Sequence, residues 1–526
     1  MEENKDIKMD ANSTDFVPNE GLESEIETQG PKKISKDDPD YIPVKEKVAY
    51  GVGALMDGGG VALMGCVMLY YMTRFLGIPA AAAGAVVMAS KAWDAVTDPV
   101  MGVISDNTRS RWGRRRPYMF VGGFLLILGM VLLFLPASRE IASLGGRIAY
   151  VLVMYLLWNT FSTITQVPYC SLASDISGDY SERDKANTVK LIFTSVSAGL
   201  SYLGPTLALE AFAKGTINAT HFWLIMIVYG VLFGGGLVIA SIFVKERVGA
   251  LNPDVKAKFS FRVYGDAVKN KSFRWHIVMY SAAFMCMDIL SALAVYYALD
   301  VWGGTTLFGK PFTSMYVIAP LMGGAVAMFP VCRYVMDKKS KQFAFRMGLP
   351  AYILGGIMLG AMSPDWAPTA LVPVFALIMG LGFGGAQMMP WIIFPDTVDV
   401  AELKLGHRPT GVFSGMMKLA RKLAGALGVF VAASGIQAFG YKETPIDATE
   451  RIVQTGNALL GVRIVLSSAV VILISIALFA SFKYKVNSKK LDRIKYFNQL
   501  RRDGILDEEL TEEEQAEKAQ LIKELA

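Results

Sequence analysis

Charge is scarce in this sequence. Only 19% of its 526 residues are Asp, Glu, Lys or Arg, against about 25% in an ordinary soluble domain. Histidine is scarcer: His221, His276 and His407 are scattered, which leaves no imidazole cluster for a zinc enzyme. The four cysteines (Cys66, Cys170, Cys286, Cys332) all fall in apolar stretches without paired spacing. That excludes a disulfide framework and a thiolate metal site, and marks them as small buried hydrophobes. No nucleophile elbow, HExxH, Walker motif or glycine-rich dinucleotide turn occurs in a polar context, and no soluble segment is large enough to be a sensor domain. Neither enzymatic activity nor a cofactor is expected.

What the chain has in abundance is apolar sequence: 53% of its residues are hydrophobic, with mean hydropathy +0.38. Twelve apolar runs stand near 47–76, 81–105, 116–137, 147–174, 188–212, 220–244, 273–300, 312–336, 342–362, 368–395, 410–437 and 457–482. Each is long enough to cross a bilayer core. The polar, basic connection 245–272 divides them six and six. Residues 45–244 and 273–483 are therefore expected to form two six-helix bundles, giving an all-α membrane protein of twelve transmembrane helices. Residues 1–40 hold twelve acidic and five basic side chains and one aromatic, Phe16; such a segment cannot offset its ordering entropy and reads as a disordered tail. No cleavable signal peptide is expected there. The tail 484–526 is charged, and 505–526 read as a short, solvated amphipathic helix.

The net charge of +6 is concentrated in alternate loops, which argues for orientation and against a nucleic-acid partner. After run two stand Arg109, Arg111, Arg114, Arg115 and Arg116; after run six, a Lys/Arg series from Lys245 to Lys271; after run eight, Lys338, Lys339 and Lys341; after run ten, Lys404 and Arg408. The intervening loops are poorer in both. The positive-inside rule then places both termini in the cytoplasm, and a monomer in the plasma membrane is expected. Two six-helix halves form a transporter layout with the solute near the midplane between them. A weak internal echo accompanies it: run two ends in Gly102–Asp106 and arginines, run eight in Arg333, Asp337, Lys338 and Lys339.

Ionisable residues inside the runs carry the chemistry, because a charge in hydrocarbon costs several kcal/mol unless it faces a cavity or a partner. In run two Asp94 and Asp98 are four residues apart, hence on one helix face about 6 Å apart along the axis, with Lys91 one turn earlier. They form either a cation or proton site or a charge cluster joining two helices. Run four carries Asn159, Ser162, Thr163, Thr165 and Gln166 before Pro168, oxygens suited to a hard cation or to helix–helix hydrogen bonds. Run eleven carries Lys418, Arg421 and Lys422; Lys422 lies about 16–20 Å along its helix, where it meets the run-two acids or else snorkels to the surface. In run one, Asp57 precedes three glycines and either lines the cavity or partners Lys422. Asp106 ends run two facing the guanidinium cluster, a charge network suited to two rocking helices.

These residues lie in longer motifs: WDAVTDP, then GVISDNTRSRWGRRRP, QVPYCSLASDISGDYSER, FPDTVDVAELKLGHRPTG and RKLAGALG. In this order, from about residue 45 to 483, they resemble the glycoside–pentoside–hexuronide:cation symporters, the melibiose-permease group of the major facilitator superfamily. The resemblance implies cation sites at Asp94 and Asp98, with Thr97, Thr163 and Gln166 beside them. It implies substrate-binding roles for Asp57, Lys190, Lys422 and Tyr169, and a cytoplasmic gating network of Asp106, Arg111, Arg114, Arg115, Asp396, Asp399, Glu402 and Arg408. Three positions depart from the family pattern: Gln166 replaces an acid, Cys170 an aromatic, and Gly58 the run-one acid, with Asp57 offset by one. Lys190 stands for an arginine and loses its bidentate fork. The expected function is symport of a sugar, glycoside or hexuronide with sodium or a proton; the alternative is a carrier of a lipid-like or other organic solute. Sodium is preferred from the resemblance, with proton coupling left open. No metal is expected beyond a sodium ion at Asp94 and Asp98, and the partners are the solute and the bilayer.

Overall fold

The computed structural model describes residues 35, 38–177, 179–247, 269–406, 410–444, 452–502 and 509–525. The expected disordered tail falls almost wholly outside them, as do most of the 245–272 linker and Arg408. The N-terminal half comprises α1 (Val44–Gly53), α2 (Leu55–Arg74), α3 (Ala80–Asn107), α4 (Arg116–Leu133), α5 (Leu144–Asp175), α6 (Tyr180–Ala213) and α7 (Ala219–Phe243). The C-terminal half comprises α8 (Lys271–Tyr296), which runs into a π turn at Tyr297–Val301, then α9 (Met315–Lys338), α10 (Lys341–Ala361), α11 (Leu371–Leu405), α12 (Thr410–Ala438) and α13 (Gly456–Lys483). Two tail helices follow, α14 (Ser488–Arg502) and α15 (Glu512–Leu525). A two-residue hairpin pairs Thr306–Leu307 with Lys310–Pro311 between α8 and α9.

Among the described residues eleven helical segments are long and apolar enough to cross a membrane, α1 and α2 counting as one. Run two is α3, which at 28 residues has the length; its Lys91, Asp94, Asp98 and Asp106 remove it from the apolar set. The outer faces are greasy stripes at helical spacing: Val121, Phe124 and Leu128 on α4, and Ile472, Ile476 and Phe479 on α13, are all exposed. This pattern is inverted relative to a soluble helix and is suited to lipid contact, since a helix pairs the backbone polar groups of its interior within itself.

Within the first half α1 and α2 pack on α6 and α7, α4 on α5 and α7, and α3 on α5. Within the second, α11 is gripped by α9 and α10, and α13 lies against α8 and α10. Close approach follows from small residues: a Cβ on Gly58 would sit 2.1 Å from the Thr194 carbonyl oxygen, so the glycine run lets α2 lie directly on α6. The halves meet where α3 faces α12, α2 faces α8 and α6 faces α9. Many of the bonds joining them lie at the end remote from the termini. There Thr73 and Tyr296 hydroxyls are 2.7 Å apart, the Ala81 amide donates to Gln437, and Arg74 pairs with Asp300 at 2.6 Å.

Candidate functional site

Between the halves lies a cavity of about 400 Å³. Its wall takes Asp57 from α2, Lys91, Asp94 and Asp98 from α3, Asn159, Thr163, Gln166 and Cys170 from α5, and Lys418 and Lys422 from α12. The lining begins mid-helix and continues toward the terminal end of the bundle, away from the cross-half bonds.

Lys422 crosses this cavity. Its ammonium pairs with the carboxylate of Asp98 and lies 3.5 Å from that of Asp94, because the four-residue spacing presents both acids to α12. It therefore meets the acids rather than snorkelling away. Thr163 donates to Asp98 at 2.8 Å. The Thr97 hydroxyl donates back to the Trp93 carbonyl at 3.1 Å and lies 3.5 Å from that of Thr163. Asp94 is only 5% exposed, yet its Oδ1 has no hydrogen-bond partner among the described residues, and neither has the buried Gln166 amide nitrogen. The unengaged Asp94 oxygen shares a cavity wall with the Thr163 hydroxyl and the Gln166 carboxamide, whose oxygens are ligands suited to a hard cation.

Asp57 does not partner Lys422. It pairs with Lys190 of α6 at 3.3 Å, since both lie on the α2–α6 interface that the glycine run allows. Tyr169 does not reach the cavity. Its ring is fully buried against Tyr50, its hydroxyl donates to the Tyr50 carbonyl at 2.6 Å, and the Lys190 ammonium stands 5.1 Å from its ring centre. Its ring stands beside Lys190, outside the cavity lining.

At the terminal end Asp106 pairs with Arg115 at 2.7 Å, and Arg114 and Arg115 both engage Asp175 at the end of α5. The backbone amides of Arg114, Arg115 and Arg116 converge on the Glu246 carboxylate, an anion at a helix N-terminus. Arg111 is exposed and stands apart from this cluster, because the turn before α4 points it outward. In the second half Asp396 holds Lys341 at 2.7 Å; Asp399 and Glu402 are buried nearby on α11. The two halves thus repeat one device: a basic residue at the start of α4 or α10 bonded to an acid on α5 or α11.

Reading the sequence missed three features. Asp175 and Glu246 complete the terminal network. Asp288 of α8 faces Arg421 at 3.5 Å, and a Cβ on Gly425 would lie 1.9 Å from its Oδ2. At the remote end the Arg74–Asp300 pair, with side chains 3% and 1% exposed, is completed by the Tyr441 hydroxyl on Asp300 and by Thr444 on Arg74. The lone acid in each of MCMDIL and YYALDV, and Arg74 closing run one, were the available signals.

A family model described as MFS/sugar transport protein matches residues 49–487. The inner membrane symporter YicJ of Escherichia coli strain K12 is 27% identical over 405 residues, covering 75% of this chain and 84% of YicJ. The glucuronide carrier protein homolog of the same organism is 25% identical, covering 79% of this chain and 87% of its own. The sodium-dependent lysophosphatidylcholine symporter 1 of Xenopus tropicalis is 23% identical, covering 92% and 95%. Among solved structures, the inward-open xylose transporter XylE of E. coli shares the fold, with a TM-score of 0.55 at 13% identity over 86% of this chain and 98% of that one. The chain belongs to the MFS/sugar transport protein family, among the glycoside–pentoside–hexuronide:cation symporters of the major facilitator superfamily, and is a multi-pass membrane carrier that couples a small-molecule solute to a cation, not an enzyme.

Proposed function

We propose that this carrier takes a sugar, glycoside or hexuronide into the cytoplasm with sodium as the coupling ion. The observation that carries the reading is Lys422 reaching from one half to Asp98 and Asp94 of the other, inside a cavity large enough for a sugar. Lys422 acts as an internal cation. An arriving sodium ion takes Asp98, the unengaged Asp94 oxygen and the Thr163 hydroxyl, and Lys422 is released toward the solute. Asp57 accepts hydrogen bonds from sugar hydroxyls, and Lys190, which holds Asp57 from just outside the cavity lining, turns inward to pair with a hexuronide carboxylate. Both charges must be compensated before the halves can rock, which links cation to solute. The remote end is sealed by Arg74–Asp300 and the termini are cytoplasmic by loop charge, so this conformation faces inward. In this reading α3 is the twelfth span, charged because it lines the route, and the carrier works as a monomer in the plasma membrane.

Purified carrier in proteoliposomes tests this. A glucuronide should accumulate under an inward sodium gradient at fixed pH; accumulation under a pH gradient without sodium would assign the proton instead. Uptake indifferent to both gradients would defeat symport. A second reading, carriage of a lipid-like solute, is favoured by the apolar Met56, Val61, Met64 and Leu419 on the same wall and by Cys170 in place of an aromatic plate. Counterflow with lysophosphatidylcholine and none with sugars would select it.

A further inference from the structure

The charged tail does not hang free. The first turn of α8 receives the end of α15: the Ser272 hydroxyl donates to the Leu525 carbonyl at 2.7 Å, and the Lys271 ammonium to that of Lys523 at 2.6 Å. Leu521 and Leu525 are buried, Lys490 bonds Glu524 at 2.8 Å, and Arg493 chelates Glu517. On the other side of the helix pair, Asn498 of α14 donates to the Asp399 carbonyl of α11 at 3.0 Å. The solvated helix expected from the sequence is instead fastened to the terminal face of the second half.

This docking builds an open pocket of about 640 Å³ from three separate stretches of chain: Lys271, Ser272 and Trp275 of α8, Lys483 and Lys485 after α13, and Gln520, Lys523 and Glu524 of α15. Four lysines and one glutamate line it, Lys485 lying 3.9 Å from Glu524. Its level is fixed by the helices, because Lys271 begins α8 and Lys483 ends α13. One turn inward, Trp275 meets Phe479 edge-on, 6.0 Å between ring centres. Beyond them the exposed outer face of α13 continues as Phe479, Ile476 and Ile472. Cations above an aromatic girdle above a greasy stripe reproduce the depth profile of a phospholipid: headgroup, interface, acyl chains. Flanking lysines alone would be ordinary positive-inside residues. Lys523 and Gln520 are not flanks, since they arrive on a helix more than thirty residues after the last span.

We propose that this pocket binds the headgroup of an anionic phospholipid, with its phosphate among Lys271, Lys483, Lys485 and Lys523 and its chains along α13. The lipid then bridges α8, α13 and α15 and fixes the tail against the moving half. A basic residue near an anionic surface is worth about 1 kcal/mol, or about fivefold in affinity, so removing three should cost about a hundredfold.

The test is retention of phosphatidylglycerol against phosphatidylcholine by the full-length carrier, extracted from mixed vesicles of the two lipids and read by native mass spectrometry. Wild type should retain phosphatidylglycerol selectively. The Lys483→Gln/Lys485→Gln/Lys523→Gln variant should lose that selectivity, while Lys338→Gln/Lys339→Gln, which neutralises exposed lysines at the end of α9, should keep it. Equal retention by wild type and the triple variant, or equal loss in both variants, would overturn the site. Inorganic phosphate should not raise the melting temperature as phosphatidylglycerol does; if it does, the pocket serves a soluble anion and the lipid proposal fails.

Discussion

The seal at the remote end offers the sharpest perturbation. Asp300 accepts from Arg74 at 2.6 Å and from the Tyr441 hydroxyl at 2.6 Å, both charged side chains being almost wholly excluded from solvent. The Arg74 bond joins α2 to the C-terminal half, so it exists only while the remote end is shut. Asp300→Asn leaves the Arg74 guanidinium buried against a neutral amide. Breaking a buried pair by removing one partner costs about 3–5 kcal/mol. The conformation open at the remote end, in which Arg74 meets water, escapes most of that cost. The balance between the two should therefore move by about a hundredfold to several thousandfold, at about 1.4 kcal/mol per decade. The assay is labelling of Thr73→Cys, whose parent threonine is buried with its hydroxyl 2.7 Å from that of Tyr296 across the same seam, by a membrane-impermeant thiol reagent applied from the remote face. Labelling should be slow with native Arg74 and Asp300 and fast with Asp300→Asn. Arg74→Gln combined with Asp300→Asn should recover much of the protection, because no charge is then left unpaired. Unchanged labelling in a well-folded Asp300→Asn carrier would refute the idea that this pair holds the end shut.

Further outcomes are expected elsewhere. Gly425→Ala should lower the melting temperature by overpacking, at a cost of about 1–3 kcal/mol, since its Cβ would fall 1.9 Å from Asp288; adding Asp288→Ala should relieve it, and no rescue would mean the clash lies elsewhere. Lys422→Gln should tighten cation binding in an ion-titrated tryptophan-fluorescence assay while slowing exchange, because the internal competitor is gone; weaker binding would make Lys422 a scaffold instead. In the tail, Arg493 holds the Glu517 carboxyl below its ordinary range, and Lys490 does the same for Glu524. A depressed carboxylate stabilises docking above the unfolded pKa and loses that contribution as pH falls through the folded one. Proteolysis of α15 should accordingly rise once the pH drops below the usual carboxylate range near 4, and stay flat between neutral pH and 5.

Much of this architecture was visible in the sequence because bilayer thickness dictates run length, and the observed helices begin and end close to the apolar runs. The clear exceptions are α6, which starts at Tyr180 well ahead of its run, and α11, which overruns its own. The run stops at Pro395, but the helix continues to Leu405 through the polar PDTVDVAEL stretch, which tertiary contacts with α14 cover. Hydropathy cannot foresee a helix end shielded by a distant tail. The Asp94–Asp98–Lys422 arrangement was legible because helical periodicity aligns the acids and depth aligns the lysine. Asp57 with Lys190 was not, since both possible partners are lysines and only the α2–α6 contact decides between them. The Arg74–Asp300 seal also escaped, because its members stand 226 positions apart at run ends, where single charges read as surface anchors.

The claim at the centre of this account is that Asp94 and Asp98 jointly couple cation to solute. The most direct measurement compares the steady-state accumulation ratio of the transported solute with its equilibrium exchange, in proteoliposomes bearing an inward ion gradient. Wild type should concentrate solute above the outside level. Asp94→Asn and Asp98→Asn should each equilibrate it at a ratio near one while still exchanging it downhill. Full concentrative uptake by both single variants would contradict the account.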